Sequence, residues 1–484
     1  MKDKLTKSKI LCTLGPSTNT PESIAELRDL GMNMVRINFS HGTEKEKTKL
    51  FQMVRAVSPD IGILCDIQGP KIRIGDVQEG GALLKRGQRF ILTTKKVMGN
   101  DEKVTFSYKP FPKEVKVGER VFINDGIICL EVLNIKGEEV HCRVLTGGFI
   151  YSRKGVNLPT TKIGLRVPTE KDIEDLKLIA KLDPAYVAAS FVGSAEDVET
   201  IRHILASYGN DRIKIISKIE RPIAVDNFDE ILAASDGIMV ARGDLGVELL
   251  PEEVPPLQKS MIRKCNTQGK PVIVATQMLE SMVKAPIPTR AEVSDVYNAI
   301  EDGADCVMLS AETASGEFPT EAVWVMERII RNSEEHLPER DPHWYDSKEE
   351  TVSEIIGHLT HHACQQLKDR FKQPGKIICL TRSGYTARMI SKYRPPFQIF
   401  AVTPDQRASQ EMRLLWGVES VYLPELEEAA KTMTRVQTAI QACCERGYVK
   451  ASDRVIVVGD FMRLATQTNM VSILRVGDVL EQND

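Results

Sequence analysis

Short apolar runs recur along the first 70 residues of the chain and again between residues 186 and 310. Each run ends in polar or glycine residues, and amphipathic stretches of helical period, such as residues 21–31 and 194–209, follow most of them. The eight runs, with the residues that close them, are KILCTLGP, MVRINFSHG, GILCDIQGP, YVAASFVG, KIISKIERP, GIMVARGDLG, PVIVATQM and CVMLSAET. Eight strand–helix units predict an α/β protein built on a closed (β/α)8 TIM barrel.

The repeat is interrupted once, between the third run and the fourth. Residues 71–167 contain the β-rich runs RFILTT, RVFIND and VHCRVL, separated by polar turns, which predict an inserted all-β domain. The barrel is thus assigned to residues 1–70 and 168–340. The charged stretch ERDPHWYDSKEE (339–350) predicts a linker. Beyond it, KIICLT, QIFAVTP and DRVIVVGD alternate with helical stretches and predict a C-terminal α/β domain over residues 341–484.

Charge and composition exclude several classes of protein. The chain has 64 basic and 67 acidic residues, a net charge of −3 and no long single-sign block, so we expect no nucleic-acid partner. The amino-terminal segment lacks the apolar core of a signal peptide, and no apolar stretch is long enough to cross a bilayer. We therefore expect a cytoplasmic protein with no membrane partner. The ten cysteines lie mostly inside apolar runs, which predicts small buried side chains rather than disulfides or zinc ligands.

Polar side chains close most of the predicted barrel strands. In a (β/α)8 barrel the carboxyl ends of the strands surround the active site, so these side chains are expected to meet in one cleft. Any one of them alone could be a helix cap or a loop residue. Together they predict a functional site, and they are Arg36, Asn38, Ser40, Asp66, Ser190, Lys218, Glu220, Arg242, Asp244, Thr276 and Ser310.

Long motifs in a fixed order show that the chain resembles the pyruvate kinases. The matching stretches are CTLGPS (12–17), VRINFSHG (35–42), GPKIR (69–73), KGVNLP (154–159), SKIERPIAVDNFDEI (217–231), MVARGDLGVEL (239–249), ATQMLESM (275–282), PTRAEVSDV (288–296) and LSAETASGEFP (309–319). The resemblance implies transfer of the phosphoryl group of phosphoenolpyruvate to ADP, giving pyruvate and ATP in the last step of glycolysis. It also implies dependence on Mg²⁺, with Mn²⁺ as an alternative ion, and an allosteric homotetramer.

The stretch KIE carries the predicted catalytic centre. Side chains alternate along a strand, so Lys218 and Glu220 lie on one face. The resemblance makes Glu220 and Asp244 the metal ligands, and a magnesium site typically uses one or two carboxylates. Lys218 would stabilise the transferring phosphoryl group as a fixed cation. The alternative is that Lys218 and Glu220 form only a structural ion pair.

Further substrate contacts are implied by the resemblance. Gly243 and Asp244, where a strand gives way to a helix, would hold the carboxylate end of the substrate together with Thr276. Arg36 would bind the phosphoryl group, and Arg242 would organise the site. Thr276 would also lie on the route that protonates the enolate, with Ser310 and water. The catalytic residues are thus Lys218, Arg36 and Thr276.

The nucleotide is expected at the border between the barrel and the inserted domain. The resemblance assigns Asn38, His41, Arg73 and Lys154 to it. Lys154 belongs to the inserted domain, which would act as a lid that excludes water. Arg73 lies at the hinge of that lid.

The motif GPKIR changes the expectation for monovalent cations. The resemblance implies a potassium site formed by Asn38, Ser40, Asp66 and the backbone carbonyl of Ile67. If the strand that holds Arg36 extends as far as Ser40, alternation places Arg36, Asn38 and Ser40 on one face. Potassium-dependent members typically have glutamate where this chain has Lys71, and an ammonium group there brings the positive charge itself. The sequence therefore predicts that potassium is dispensable. The alternative is that Lys71 only points into solvent at the hinge.

The stretch TRSGYT lies between a predicted strand and a helix in the C-terminal domain. Its hydroxyl groups, arginine and glycine favour a phosphate cradle, and the resemblance implies a phosphorylated effector bound by Thr381, Arg382, Ser383, Gly384, Tyr385 and Thr386. The alternative is an ordinary helix cap. The stretch DFMRLATQTN (460–469) departs from the family, because it lacks a glycine before Thr-Asn and a tryptophan.

Two other functions fit part of this pattern. A metal-dependent barrel aldolase or lyase acting on pyruvate would share the carboxylates and the enolate chemistry, but it would not need Lys154, a lid or ADP. A sugar-phosphate sensor without turnover would keep the fold. The presence of Lys218, Glu220, Asp244 and Thr276 together favours the kinase.

Overall fold

The computed structural model describes residues 5–124, 126–159, 161, 164, 166–338, 345, 351–371, 375–428, 432–459 and 468–481. These residues form a closed parallel barrel, an inserted β-domain and a C-terminal α/β domain, so the fold class predicted from the sequence is confirmed. The predicted boundaries at 70/71 and 167/168 fall between secondary-structure elements. The boundary at 340/341 and the predicted linker, apart from Tyr345, lie outside the described residues.

All eight runs predicted as barrel strands form strands. Three of them precede the inserted domain, five follow it, and each is parallel to both of its neighbours. Their side chains are almost entirely buried, as expected for a parallel sheet covered on both faces. The strands are β1 Lys9–Thr13, β2 Met34–Asn38, β3 Gly62–Asp66, β12 Tyr186–Ala189, β13 Lys214–Ile219, β14 Gly237–Ala241, β15 Val272–Ala275 and β16 Cys306–Leu309.

Helices surround the barrel strands on the outside. Five of them begin at a threonine or serine whose hydroxyl accepts the backbone N–H three residues on, which fixes where the helix starts. The barrel helices are α1 Pro21–Leu30, α2 Glu44–Val57, α4 Glu170–Leu182, α5 Ala195–Ser207, α6 Pro222–Asp226, α7 Phe228–Ala234, α8 Arg242–Glu248, α9 Val254–Thr267, α10 Arg290–Asp302, α11 Ala311–Ala314 and α12 Pro319–His336. Short 3₁₀ turns lie at Pro16–Thr18, Pro251–Glu253 and Glu280–Val283.

The inserted domain, called the lid domain below, has its own core. Phe90, Phe106 and Phe111 are buried in it, and the last two rings stack with centroids 4.3 Å apart. One sheet has the order β11-β7-β8-β9-β5-β6, and β4 pairs with β10. Its elements are β4 Ala82–Leu84, β5 Arg89–Thr93, β6 Lys103–Thr105, α3 Phe111–Glu114, β7 Arg120–Ile123, β8 Ile128–Lys136, β9 Glu139–Thr146, β10 Gly148–Ile150 and β11 Val156–Asn157.

The C-terminal domain contains a five-stranded sheet in the order β19-β18-β17-β20-β21. The three runs singled out in the sequence form β17, β18 and β20, but that set was incomplete, because β19 and the antiparallel edge strand β21 were missed. The elements are α13 Val352–Phe371, β17 Lys376–Leu380, α14 Tyr385–Lys392, β18 Gln398–Thr403, α15 Gln406–Met412, β19 Val418–Tyr422, α16 Thr432–Glu445, β20 Arg454–Gly459, β21 Met470–Arg475 and α17 Val476–Leu480, with a 3₁₀ turn at Pro424–Leu426.

The C-terminal domain closes the amino-terminal end of the barrel. Leu414 is fully buried and belongs to the same apolar cluster as the barrel side chains Leu11, Met34 and Leu64. Lys9, also buried, donates to the carbonyl of Val418 over 2.6 Å. The two domains are therefore packed directly against each other opposite the predicted active site.

Two compositional predictions can be compared with the structure. Nine of the ten cysteines are buried and the tenth is partly buried, as their positions in apolar runs predicted, and all ten are free thiols. Among the helices of the described residues, we find none with the length and hydrophobicity needed to cross a membrane.

Candidate active site

The carboxyl ends of three neighbouring barrel strands bring Lys218, Glu220 and Asp66 together. The Lys218 ammonium lies 2.8 Å from Glu220 Oε1 and 3.5 Å from Asp66 Oδ1. It also donates to the Ser190 hydroxyl over 2.7 Å. The second oxygen of Glu220 accepts the backbone N–H of Phe191 at 2.7 Å. The predicted alternation along KIE therefore places both side chains in one cluster at the barrel mouth.

Burial and mutual attraction set the charges of this cluster. Burial alone would lower the pKa of Lys218, but Asp66 and Glu220 outweigh it and hold that pKa above its ordinary value. Burial would raise the pKa of Asp66, yet Lys218 and Arg36 together hold it low. For Glu220 burial prevails and raises the pKa to about 7, with the nearby Asp244 adding to the rise. The site thus holds a permanent cation beside a carboxyl group that binds its proton more tightly than an ordinary glutamate does.

Arg36 lies at the same mouth, on β2. Its Nε donates to Asp66 Oδ2 over 2.7 Å and its Nη1 donates to the Thr13 hydroxyl over 3.1 Å. Asp66 therefore neutralises two cations at once, and it holds the Arg36 guanidinium near the Lys218 ammonium. Such a pair of fixed cations suits a group that carries two negative charges.

Thr276 lies in a strained turn directly after β15. Its φ is +69°, and that of Gln277 is +55°, values that a β-branched residue such as threonine seldom adopts. The Thr276 hydroxyl accepts the backbone N–H of Gly243 over 2.6 Å and donates to the carbonyl of Ala275. Phe191, whose N–H binds Glu220, also has a positive φ of 60°. Strain of this kind concentrates at functional sites, and here it surrounds the predicted substrate position.

Gly243 and Asp244 open helix α8, as the sequence predicted. Asp244 is half-buried and lines the cleft between barrel and lid. No group of three or more His, Cys, Asp or Glu that could hold a metal occurs within the described residues. Glu220 and Asp244 are close enough for Asp244 to raise the pKa of Glu220, and two carboxylates are a sufficient number for a magnesium ion that keeps its waters.

Three residues of this cleft were missed in the sequence. The Asn157 amide, on β11 of the lid domain, donates to Glu248 Oε1 over 2.8 Å, and Arg221 lies beside Glu248. Glu248 ends the helix that begins with Arg242, so the lid domain rests on the same short helix that carries Gly243 and Asp244. Asn157 lies inside the KGVNLP motif, which is the one signal that could have identified it.

Arg242 and Ser310 differ in their hydrogen bonding: the Arg242 guanidinium has several partners, and the Ser310 hydroxyl has none among the described residues. Arg242 bonds Asp295 Oδ1 at 2.6 Å and the Thr276 carbonyl at 2.9 Å, so it supports the strained turn, in keeping with its predicted organising role. The Ser310 hydroxyl is buried and has no hydrogen-bond partner among the described residues. Ser310 directly follows β16, and Thr276 directly follows the neighbouring strand β15.

The predicted nucleotide residues lie around the hinge of the lid. The Arg73 guanidinium donates to the carbonyl of Arg153 over 2.8 Å, and the next N–H, of Ile74, donates to the carbonyl of Lys154 over 3.0 Å. Burial lowers the pKa of His41, and the cations Lys71, Arg73, Arg36 and Lys171 lower it further. The structure therefore groups these side chains into a positive region suited to phosphates.

The predicted potassium ligands lie beside the same mouth, with one correction. Strand β2 ends at Asn38, so Ser40 does not continue the strand alternation that was expected from Arg36 onwards. Instead, the chain turns, and the Ser40 N–H donates to the Asn38 side chain over 3.0 Å. The Ile67 carbonyl accepts the Ser190 hydroxyl over 2.7 Å. Lys71 is exposed, lines the cleft between lid and barrel, and has no ion pair among the described residues.

The loop 381–386 joins β17 to α14. The Thr381 hydroxyl accepts the N–H of Gly384, and the Thr386 hydroxyl lies 2.5 Å from that of Thr468. Gly384 is the N-cap residue of α14, so no side chain of the loop caps this helix. Thr468 belongs to the second stretch singled out in the sequence, of which residues 460–467 lie outside the described residues.

Comparisons with known proteins show the family to which the chain is similar. The family model described as "Pyruvate kinase, barrel domain" matches residues 5–323, and "Pyruvate kinase, alpha/beta domain" matches residues 358–474. A pyruvate kinase of Geobacillus stearothermophilus is 40% identical over 98% of this chain and 81% of its own length. One of Clostridium acetobutylicum is 40% identical over 96% and 99%. The crystal structure of a pyruvate kinase from Cryptosporidium parvum is 38% identical, with a TM-score of 0.90, over 97% of this chain and 96% of that one.

Proposed function

The chain belongs to the pyruvate kinase family and transfers the phosphoryl group of phosphoenolpyruvate to ADP, and we propose that the cluster around Lys218 carries out this transfer. The observation that supports this assignment is the position of the Lys218 ammonium between Glu220 and Asp66, at the open end of the barrel. A cation fixed there by two carboxylates needs no reorganisation when negative charge spreads over the transferring group.

Each neighbouring side chain has a separate task in this proposal. Arg36, oriented by Asp66, holds the phosphoryl group in line between donor and acceptor. Thr276 and the Gly243 N–H, which already contact each other, bind the substrate carboxylate. The unpartnered Ser310 hydroxyl, with Thr276, holds the water that delivers a proton to the enolate. The lid domain, through Asn157 and Glu248, keeps bulk water out.

Glu220 and Asp244 would hold the divalent ion, Mg²⁺ or Mn²⁺. Both carry carboxylate oxygens, and Asp244 lines the cleft whereas Glu220 is buried beside Lys218. A bound Mg²⁺ would neutralise charge on phosphoryl oxygens and hold them in place. Glu220 contributes the oxygen lone pairs that Lys218 and Phe191 leave unused.

One assay with systematic omissions tests this function. Purified enzyme is supplied with phosphoenolpyruvate, ADP and Mg²⁺, and pyruvate is followed through a coupled lactate dehydrogenase reaction. We expect pyruvate only when all three are present. Pyruvate formed without ADP would contradict the kinase and favour a lyase or a phosphatase, and no turnover at all would favour a sensor.

We also propose that potassium is dispensable. The Asp66 carboxylate, which a monovalent ion would otherwise neutralise, is already paired with Arg36 and lies 3.5 Å from Lys218. Lys71 adds a further cation to the cleft, where it is close enough to His41 to lower the pKa of that residue. The positive charge that potassium supplies to other members is therefore provided by the chain itself.

Replacing Lys71 with glutamate should create a requirement for potassium. We expect the wild-type enzyme to keep near-full turnover in buffer whose only monovalent cation is a bulky organic ammonium ion, and Lys71→Glu to need added K⁺. Lys71→Gln, which removes the charge without inverting it, is the control and should fall between them. Wild-type turnover that drops tenfold or more without K⁺, about 1.4 kcal/mol of barrier, would rule out this role.

Two exposed apolar surfaces support the proposed homotetramer. The first lies on the C-terminal domain, where helix α13 contacts the edge strand β21. It consists of Val352, Ile355 and Leu359, which are spaced i, i+3, i+7 on α13, and of Ile473 on β21. The second lies on the barrel helices α10 and α12 and on the segment that leads into α10, and it includes Val293, Trp324 and Ile287. Two distinct self-complementary interfaces on one chain generate a closed assembly of four subunits.

The effector loop should control activity in that assembly. We propose that Thr381 to Thr386 bind a phosphorylated effector, since the loop's hydroxyls face a helix start that no side chain caps. We expect a mass of four chains by light scattering, cooperative dependence on phosphoenolpyruvate, and a shift in its apparent affinity of about 5- to 150-fold with the effector. Sugar phosphates and AMP are titrated into wild type and Ser383→Asp, whose added charge should abolish the response.

The control for this experiment is Ser383→Ala, which removes one hydroxyl without adding charge. It should weaken the response rather than abolish it. Equal responses of wild type and Ser383→Asp to the same compound would place the effector elsewhere.

A further inference from the structure

A second polar recess lies on the opposite side of the barrel from the active site. It is formed where α14 of the C-terminal domain packs against the turn between α9 and β15, and it encloses about 200 Å³, part of which is open to solvent. A Cβ atom at Gly269 in that turn would fall 2.7 Å from the Met389 side chain, which shows how tightly the two domains meet. The polar lining residues are Asn266, Lys270, Asp305, Arg388, Ser391, Lys392 and Arg394.

Positive charge exceeds negative charge in this recess. Lys392 is paired with Glu354 at 2.5 Å, and Arg394 is paired with Asp305 at 2.9 Å. Lys270 has no carboxylate partner within the described chain and donates only to the carbonyls of Leu232 and Ala233. Arg388 has neither a hydrogen bond nor an ion pair within the described residues, and its guanidinium lies over the Tyr385 ring.

Lys270 and Arg388 are close enough to repel each other. Burial is the main reason that the pKa of Lys270 falls to about 8, and Arg388 lowers it further, whereas Asp236 only partly offsets the fall. The Nε of Arg394, in the same lining, is buried without an acceptor among the described residues. Two uncompensated cations and an unused donor around one small recess leave room for an anionic acceptor.

The geometry points to an oxyanion site in this recess, in which Lys270 of the barrel and Arg388 of the C-terminal domain bind one phosphoryl group together. The chemistry is that of inorganic phosphate or of the terminal phosphate of a small ester, because the recess is small and partly open, so the rest of an ester would lie in solvent. An arginine fork and a lysine ammonium are the usual partners of such a dianion.

The position of the site suggests that its occupant acts on both domains. Lys270 is two residues before β15, the strand that Thr276 directly follows. Arg388 lies on α14, whose first residues Tyr385 and Thr386 end the effector loop. An anion bound by both would stabilise the docked arrangement of barrel and C-terminal domain, separately from any ligand of the loop itself.

Chemical labelling of Lys270 gives a readout that is specific to this recess. The intact enzyme is treated with acetic anhydride at a pH where much of the Lys270 amine is neutral, and acetylation of individual lysines is measured by peptide mass spectrometry. We expect inorganic phosphate to protect Lys270 in a saturable manner, because the bound dianion holds the amine in its charged form. Lys264, an exposed lysine of the same region, should be labelled equally with and without phosphate.

Variants of Arg388 test whether this residue is the second cation of the site. In Arg388→Met the half-protecting phosphate concentration should rise at least about tenfold, since a charged hydrogen-bond donor is lost. Arg388→Lys should keep most of the protection, and Arg382→Met, in the effector loop, should keep all of it. Absence of protection in the wild type, or equal protection in Arg388→Met, would overturn the site, and loss of protection in Arg382→Met would assign the effect to the loop.

Two ligands distinguish the sources of the phosphoryl group. Protection by both inorganic phosphate and glycerol phosphate would assign the site to phosphate esters whose other end lies in solvent. Protection by inorganic phosphate alone would assign it to the free ion.

Discussion

Lys218→Met should fold and still lose at least roughly 100-fold in kcat, because a fixed cation beside the transferring phosphoryl group contributes on the order of 3 kcal/mol or more to the transition state. The KM for phosphoenolpyruvate should change much less, since Arg36, Gly243 and Thr276 remain to bind the ground state. The measurement is steady-state kinetics at saturating ADP and Mg²⁺, with the fold checked by circular dichroism and thermal unfolding.

A second buried lysine provides the matched control. Lys47 forms an ion pair with Asp175 at 2.9 Å and is about as buried as Lys218, but it lies on α2, where its ammonium faces the Phe39 ring and no side chain of the Lys218 cluster. Lys47→Met also removes a cation from a buried carboxylate, since Asp175 then keeps only Lys171 as its partner, so its stability should fall as well. Its kcat should stay near the wild-type value. A folded Lys218→Met with near-normal kcat, or equal losses in both variants, would show that Lys218 has only a structural role.

Glu220→Gln and Asp244→Asn should each raise the half-saturating Mg²⁺ concentration by at least about tenfold and lower the maximal rate, because each removes one of the two carboxylates available to the ion. Glu220 adds a dependence on pH. Its pKa of about 7 means that protons compete with the metal below neutrality, so the Mg²⁺ requirement of the wild type should increase as pH falls. Glu220→Gln should lose that dependence. Initial rates over a grid of Mg²⁺ and pH measure both effects.

Glu248 separates metal ligation from a general effect of charge. This acid is half-buried in the same cleft, and its carboxylate accepts a hydrogen bond from the Asn157 amide. Glu248→Gln lowers the negative charge of the cleft by the same amount but removes no proposed ligand. Its Mg²⁺ requirement should therefore resemble that of the wild type. If it shifts as far as in Asp244→Asn, the assignment of Asp244 to the metal is wrong.

The sequence predicted the barrel well because its strands are buried on both faces. Such strands appear as continuous apolar runs, and the polar residue that ends each run marks the active-site face. Alternation within KIE was sufficient to place Lys218 beside Glu220. The same alternation failed at Ser40, because strand β2 ends two residues earlier and the backbone turns.

Other features depend on contacts that a linear pattern does not contain. Strand β21 is a half-exposed edge strand, so its residues do not form the continuous apolar run that identified β17. The contact between Asn157 and Glu248 joins the lid domain to a barrel helix, and the recess at Lys270 and Arg388 joins the barrel to the C-terminal domain. Residues so distant in sequence come together only through the packing of whole domains.

The most direct test of the central claim measures the fate of the transferred phosphoryl group by ³¹P NMR. A ³¹P NMR time course of phosphoenolpyruvate, ADP and Mg²⁺ with the enzyme shows where the phosphoryl group goes, and Lys218→Met and Lys47→Met are run beside the wild type. We expect the phosphoenolpyruvate signal to be replaced one for one by the γ-phosphate of ATP with the wild type and Lys47→Met, and to persist with Lys218→Met. Release of the group as inorganic phosphate, or undiminished transfer to ADP by Lys218→Met, would contradict the account.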